Sequence, residues 1–188
     1  MHPCKWGGIK LQDAIVSMDS MIFNCHVSLR SAQAEDEAFL LQVYASTRAE
    51  EMALVPWTEA QKAAFIRFQF DAQRTHYQNY YTAAQTWVIL REDFPIGRMI
   101  VDDSGPVILL MDIALLPECR GNGIGGCLLR ALQDYAAQSA RPIRLHVEFF
   151  NPALRLYERL GFVPTHQSGI SIEMVWNGEG NVRSIQPK

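Results

Sequence analysis

The spacing of apolar positions along this chain switches from helical to strand-like at Thr86, and the switch divides the predicted elements. Before it, Val27–Arg30 reads as a short strand, and Phe39, Leu40, Val43 and Tyr44 recur at helical spacing within 34–44. Thr58 with Gln61 three residues on, preceded by Pro56-Trp57, is the capping-box start of a second helix. Ala64, Phe65, Phe68 and Ala72 are the stripe expected to be buried on that helix. After the switch, strand 86–91, a turn at Glu92–Pro95, strand 96–101 and a turn at Asp102–Pro106 form an antiparallel meander. The meander leads into a long strand, 107–116, then a helix over 124–139 and a strand over 143–150. A helix joins these two strands, so they are expected to run parallel. Asn151 as N-cap, Pro152 at the first helical position and Gly161 as the stop predict a final helix. Phe162-Val163 and Ser171–Trp176 supply closing strands.

The order of elements predicts a mixed α/β sheet in one domain over residues 27–176. Residues 1–26 lack periodicity and read as an N-terminal extension without the features of a signal peptide, and 177–188 read as a polar tail. Translation starting at Met1, Met18 or Met21 fits the sequence equally well.

Between the long strand and the helix lies Arg120-Gly121-Asn122-Gly123-Ile124-Gly125-Gly126. A strand, a glycine turn and a helix make an anion site, because bare backbone approaches a phosphate and the first helical N–H groups point at it. Two readings compete. Gly121-x-Gly123-x-x-Gly126 spells a dinucleotide fingerprint, with Glu148 as its acid on the next strand. Three features exclude it: Pro117–Arg120 separate the strand from the glycines, too few strand–helix pairs follow, and an antiparallel meander precedes.

The second reading accounts for both ends of the segment. Arg120-x-x-Gly123-x-Gly125, after a strand ending Ile113-Ala-Leu-Leu-Pro117, resembles the acyl-CoA pyrophosphate loop of the GNAT superfamily of N-acyltransferases. Asn151-Pro-Ala-Leu-Arg-Leu-Tyr157-Glu-Arg-Leu-Gly161-Phe162 resembles the second motif of that family, and the similarity runs over about residues 27–176. The resemblance implies an α/β (α+β) fold with a mostly antiparallel sheet, a splayed parallel strand pair, and acetyl-CoA as cosubstrate.

It also implies roles for individual residues. Backbone N–H groups of Gly121, Asn122, Gly123, Ile124, Gly125 and Gly126 bind the pyrophosphate, and Arg120 either adds charge there or is a solvated loop cation. Ile113, Ala114 and Leu115 offer unpaired backbone to the pantetheine arm, with an N–H near Leu115 stabilising the oxyanion. Tyr157 matches the family tyrosine that protonates the departing thiolate, although a bare helix tyrosine is usually a core aromatic. Asn151 is explained locally as an N-cap and by resemblance as a CoA contact. Asp112, inside the apolar strand, and Glu148 are the candidate bases; an apolar setting raises a carboxylate pKa, and pairing with an arginine is the alternative. His146 is a weaker candidate on the same face as Glu148. The acceptor site falls on the first two helices and late loops, where Glu50 and Glu51 would attract a cationic amine and Trp57 and Tyr81 would line a pocket.

Composition narrows the class without naming the acceptor. A net charge of −3 provides no basic field for nucleic acid, and no apolar run approaches the ~20 residues of a membrane span. The four cysteines, Cys4, Cys25, Cys119 and Cys127, stand at no metal-ligand spacing and are expected to be reduced thiols of a cytoplasmic protein. No metal site is expected. Members of the family often dimerise, so a homodimer is among the implications. The acceptor is an amine on a small molecule or a peptide, and a CoA-binding sensor or partner domain without catalysis is the alternative from another class.

Overall fold

The computed structural model describes residues 26–178. Elements follow in the order β1 (Ser28–Ser31), α1 (Glu37–Ala53), α2 (Glu59–Tyr80), β2 (Gln85–Arg91), β3 (Phe94–Asp102), β4 (Ile108–Leu115), α3 (Ile124–Gln138), β5 (Ile143–Glu148), α4 (Leu154–Arg159), β6 (Val163–Ser168) and β7 (Ser171–Trp176). The predicted extension and tail lie almost wholly outside the described residues.

The strands form one seven-stranded sheet in the order β1-β2-β3-β4-β5-β7-β6. Every neighbouring pair is antiparallel except β4–β5, which is parallel as a helical crossover requires. The mixed, mostly antiparallel sheet expected from the sequence is the one observed. Its two faces carry different helices. Trp87, Ile89, Met99, Val101, Ile108 and Leu110 pack with Leu128, Leu129 and Leu132 of α3 and Tyr157 of α4 in the main core. On the other face α1 and α2 cover the sheet, through Val43 against Ala114 and Leu116 and through a cluster of Tyr44, Ile66 and Phe70.

Several boundaries moved for local reasons. The first helix runs to Ala53, well past the predicted Tyr44, because Ala49–Ala53 carry good helix formers although they lack apolar periodicity. The Thr58–Gln61 capping box forms as read. The predicted α2 stripe is rotated, since Ile66 and Phe70 are buried whereas Phe68 is 70% exposed. The inner face of α2 instead presents Gln73 and Tyr77, so polar residues hid its orientation in the sequence. The β2–β3 connection is a two-residue turn, Glu92-Asp93, with positive φ at both positions, which is the turn that matches strand twist. Asn151–Ala153 form a turn closed by Asn151 Oδ1 accepting from the Ala153 N–H at 2.9 Å, and α4 starts only at Leu154. Gly161, at φ 81°, ends it as expected. Cys119 is a free thiol, but Cys127 is disulfide-bonded, which corrects the expectation of reduced cysteines throughout.

Candidate active site

The site is made by a strand that stops pairing. β4 and β5 are joined only over Ile108–Leu110 and Ile143–Leu145. Beyond Leu110 the strands part. The cause lies in β4, where Asp112 pairs with Ile100 and Leu110 with Val101, leaving Met111 as an extra residue. Such a bulge bends its strand and disrupts the ladder.

The bulge also reverses the facing of side chains. Ile108 and Leu110 belong to the α3 side, and after Met111 it is Ile113 and Leu115 that pack there. Asp112 and Ala114 consequently face α1 and α2.

Backbone directions in β4 follow from the ladder with β3. The Leu116 N–H donates to Ile96 O at 2.8 Å, and antiparallel bonding alternates, so Ala114 and Asp112 also bond β3. Ile113 and Leu115 therefore turn their backbone groups toward the gap that β5 has left. The Leu115 carbonyl accepts from Arg120 Nε at 2.9 Å, while its N–H points into the gap. Of the three residues named for the pantetheine arm, Ile113 and Leu115 face it and the Ala114 backbone faces β3. Gly97 permits this arrangement, because a Cβ there would stand 2.3 Å from Ala114 O.

Beyond β4 the chain passes through a short turn, Pro117–Cys119, into the glycine loop. Gly121 and Gly123 have φ of 77° and 79°, a left-handed region where only glycine is unstrained. Gly123 caps α3 and no side chain bonds to that helix start. The N–H groups of Ile124, Gly125 and Gly126 are thus left for an anion. Cβ atoms added at Gly125 and Gly126 would meet Leu156 at 3.6 and 3.5 Å, ordinary contacts, so α4 closes one side of the loop. Arg120 does not face this site: its Nη2 bonds Ser46 O and Oγ at 3.2 and 3.0 Å, tying the loop to α1. Arg130 does approach it. Its guanidinium lies 3.7 Å from where a Gly126 Cβ would be, because a helical side chain leans back over the preceding turn. That i to i+4 relation was present in the sequence and passed unnoticed.

The titratable candidates sit on both faces of the sheet around the gap. Tyr157 lies on the α3–α4 side, 8% exposed, its ring edge-on to Phe162 at 5.7 Å. Burial, and then the negative charge of Asp112, push its phenol pKa well above the ordinary value. On the opposite side Asp112 Oδ2 is held by Arg98 Nε at 2.6 Å, the arginine pairing that a strand carboxylate can adopt. Arg98 is 3% exposed, also bonds Gln73 through Nη2, and lies over the Tyr44 ring at 5.4 Å. Glu148, at the end of β5, stands 3.9 Å from Arg48 of α1. His146 is on the same face, exposed, 3.7 Å from Glu173. The structure thus brings Asp112, Glu148 and Tyr157 to the β4–β5 gap.

The proposed acceptor residues do not gather as a group. Glu50 is exposed, Glu51 pairs with Arg48 at 3.1 Å, and Trp57 stacks edge-on to Phe65 at 5.3 Å at the surface. Tyr81 lines a cavity of ≈ 380 Å³ under α1 and α2, together with Tyr77, Gln73 and Arg98. Among the described residues no group of three or more His, Cys, Asp or Glu side chains is placed to hold a metal ion, and no helix is long and apolar enough to cross a membrane.

Comparison with known proteins agrees with this geometry. Residues 82–164, which contain β2 to α4 and the glycine loop, match the acetyltransferase (GNAT) domain family. A 66-residue segment is 46% identical to mycothiol acetyltransferase of Acidimicrobium ferrooxidans; it covers 34% of this chain and spans 20% of that protein. The PaiA N-acetyltransferase of Thermoplasma acidophilum, solved with coenzyme A, has the same fold at a TM-score of 0.62 and 17% identity, over 80% of this chain and 98% of that one. Spermidine N-acetyltransferase of Vibrio cholerae, solved with CoA and spermine, superposes at 0.56 with 21% identity, over 81% and 96%. The segment from the β2–β3 meander through the second motif belongs to the GNAT acetyltransferase domain family, and the helices and strands on either side complete its fold.

Proposed function

We propose that the chain is an N-acetyltransferase that moves an acetyl group from acetyl-CoA to a primary amine by direct attack, both substrates being bound together. The observation that carries this reading is the β4–β5 gap with carboxylates on one face and a buried tyrosine on the other. Such a gap lets a donor and an acceptor meet from opposite sides of one sheet. CoA supplies a thioester carbonyl, a pyrophosphate and an amide-bearing arm.

The residues present fit those three parts. Ile124, Gly125 and Gly126 N–H groups and Arg130 take the pyrophosphate, in the positive field of the α3 N-terminus. Ile113 bonds the extended arm as a missing strand would, and Asn151 closes the far side of the turn before α4. The Leu115 N–H stabilises negative charge developing on the carbonyl oxygen, worth about 2.7–4 kcal/mol for one such donor. Asp112 or Glu148 accepts the amine proton, directly or through water. Tyr157, a phenol that is protonated at neutral pH and is kept so further into the alkaline range by burial, gives its proton to the departing thiolate.

The test is an acetyl-CoA turnover screen over amines, amino acids, aminoglycosides and peptides, read by thiol release. Tight CoA binding with no thiol release across the panel would establish the sensor alternative instead. A peptide acceptor is the second reading within the enzyme class, and the same panel separates it from a small amine.

A further inference from the structure

The cavity under α1 and α2 is a built polar site. It is bounded by the β1–α1 connection, the C-terminal half of α2 and the start of β2, and its volume of ≈ 380 Å³ suits a small molecule. Its most buried polar side chain is Arg98. That guanidinium is almost completely buried, yet two of its three nitrogens satisfy all its protein hydrogen bonds: Nε on Asp112 and Nη2 on Gln73. Nη1 has no protein partner among the described residues, and Arg98 is one of the residues that line the cavity. A buried arginine with an open donor is a costly arrangement unless an oxygen completes it.

The remaining lining sets the sign of the ligand. Tyr77, Tyr81 and Thr86 offer hydroxyls, and Arg74 stands at the rim. Glu37, the acid of the lining, is already engaged by Arg74 at 2.7 Å and by Arg67, and these guanidiniums hold its carboxyl below the usual range. No carboxylate is left to receive a second ammonium there, whereas Arg98 Nη1 is left to donate. The cavity also communicates with the transfer site. Arg98 is shared between them through Asp112, and the Tyr77 hydroxyl senses the Asp112 charge.

We propose that this cavity holds the non-reacting end of the acceptor and that this end carries a carboxylate, received by Arg98 Nη1 in a charge-assisted hydrogen bond. The inference rests on the transferase reading above. Its chemical consequence is selection of amino-acid-like amines over polyamines. A polyamine would place its distal ammonium against a guanidinium, where like charges repel. The Arg98–Asp112 pair then positions both ends of the acceptor, with the carboxylate on the arginine and the ammonium toward the aspartate. One dipolar side-chain pair thereby matches one dipolar substrate.

The experiment compares amines that differ only in the carboxylate: L-phenylalanine against phenethylamine and L-lysine against cadaverine, with spermidine as the polycation. The expected result is a kcat/KM at least tenfold higher for the carboxylate partner of each pair and lowest for spermidine. Arg98→Lys keeps the cation beside Asp112 but loses the fork, and is expected to bring each pair within about threefold. Tyr77→Phe, which removes one hydroxyl and keeps the packing, checks that a smaller change in the wall shifts KM and not kcat. Calorimetric titration of N-acetyl-L-phenylalanine into the CoA-bound protein gives a readout without turnover. Equal rates within each pair, or spermidine as the best acceptor, overturn the carboxylate assignment and leave the transferase reading intact. Arg98-dependent binding of the N-acetyl amino acid with no turnover of any amine would sustain the cavity site and overturn the transferase reading. Absence of both overturns the inference.

Discussion

Arg120 and Arg130 divide between them what the glycine motif suggested for one arginine. Arg120 spends its donors on Leu115 O and on Ser46, holding the end of β4 against α1, while Arg130 folds back over the start of α3. Arg130→Ala is therefore expected to weaken CoA binding about fivefold, in the range of one exposed charge-assisted contact, and to flatten its salt dependence. Arg120→Ala should instead lower thermal stability by up to about 1 kcal/mol, the net worth of such bonds. Calorimetry with CoA at two salt concentrations, together with melting curves, distinguishes them; the reverse pattern would restore Arg120 as the phosphate ligand. Tyr157→Phe removes only the proton donor, so kcat is expected to fall about 10²-fold with CoA affinity almost unchanged. Unaltered turnover would return Tyr157 to the core aromatics. At this scale the sequence was half legible. Tyr157, Asp112 and Glu148 stood out by type and position, but the partner of each was set by tertiary contacts, and Arg98 was simply a charge in the middle of a strand.

Elements were easier to read than their orientation. Strand and helix periods located nearly every element, because apolar alternation and caps are local signals. The inner face of α2 was missed since it is partly polar: Gln73 and Tyr77 look inward while Phe68 looks out. The β4 bulge was also silent, because apolar residues occupy most of that strand whichever face they serve. Gly97, opposite Leu115 further along the same ladder, gives a handle on that strand. In Gly97→Ala a methyl group meets backbone oxygen, which a side-chain rotation cannot relieve. The expected cost is about 1–3 kcal/mol in urea unfolding, with β4 displaced and turnover reduced beyond what the stability loss explains. A variant as stable and active as the parent would mean that β3 and β4 slide apart without consequence.

The whole molecule places partly and fully buried tyrosines on both sides of the sheet. Tyr77, on α2, is pushed up to about 12 by burial and then by Asp112. Tyr135, on α3, is also pushed up to about 12, by burial and then by its bond to Asp103. Tyr157 moves in the same direction. All three keep their protons in the folded state above the ordinary tyrosine value of about 10. Below that value both states are protonated and the contribution is complete. Above it the unfolded chain releases protons first, so stability declines as pH rises from about 10 through 12. Urea midpoints measured from pH 8 to 12 should fall in that window, and less steeply in Tyr77→Phe. A midpoint that holds level to pH 12 would contradict the burial of these phenols.

Met111 works as a frame offset within the protein. One surplus residue exchanges which faces of the sheet Asp112 and Ile113 serve, so β4 is two half-strands of opposite phase joined at a single position. Deleting that codon alone would leave Asp112 and Ile113 on their present faces, in regular alternation after Leu110, and would extend the β4–β5 ladder across the opening. The result would be a more regular sheet that no longer has an entrance. In this chain, irregularity at one residue is what separates a sheet with an entrance from a closed wall, and length in β4 is therefore a stricter requirement than the identity of most residues in it.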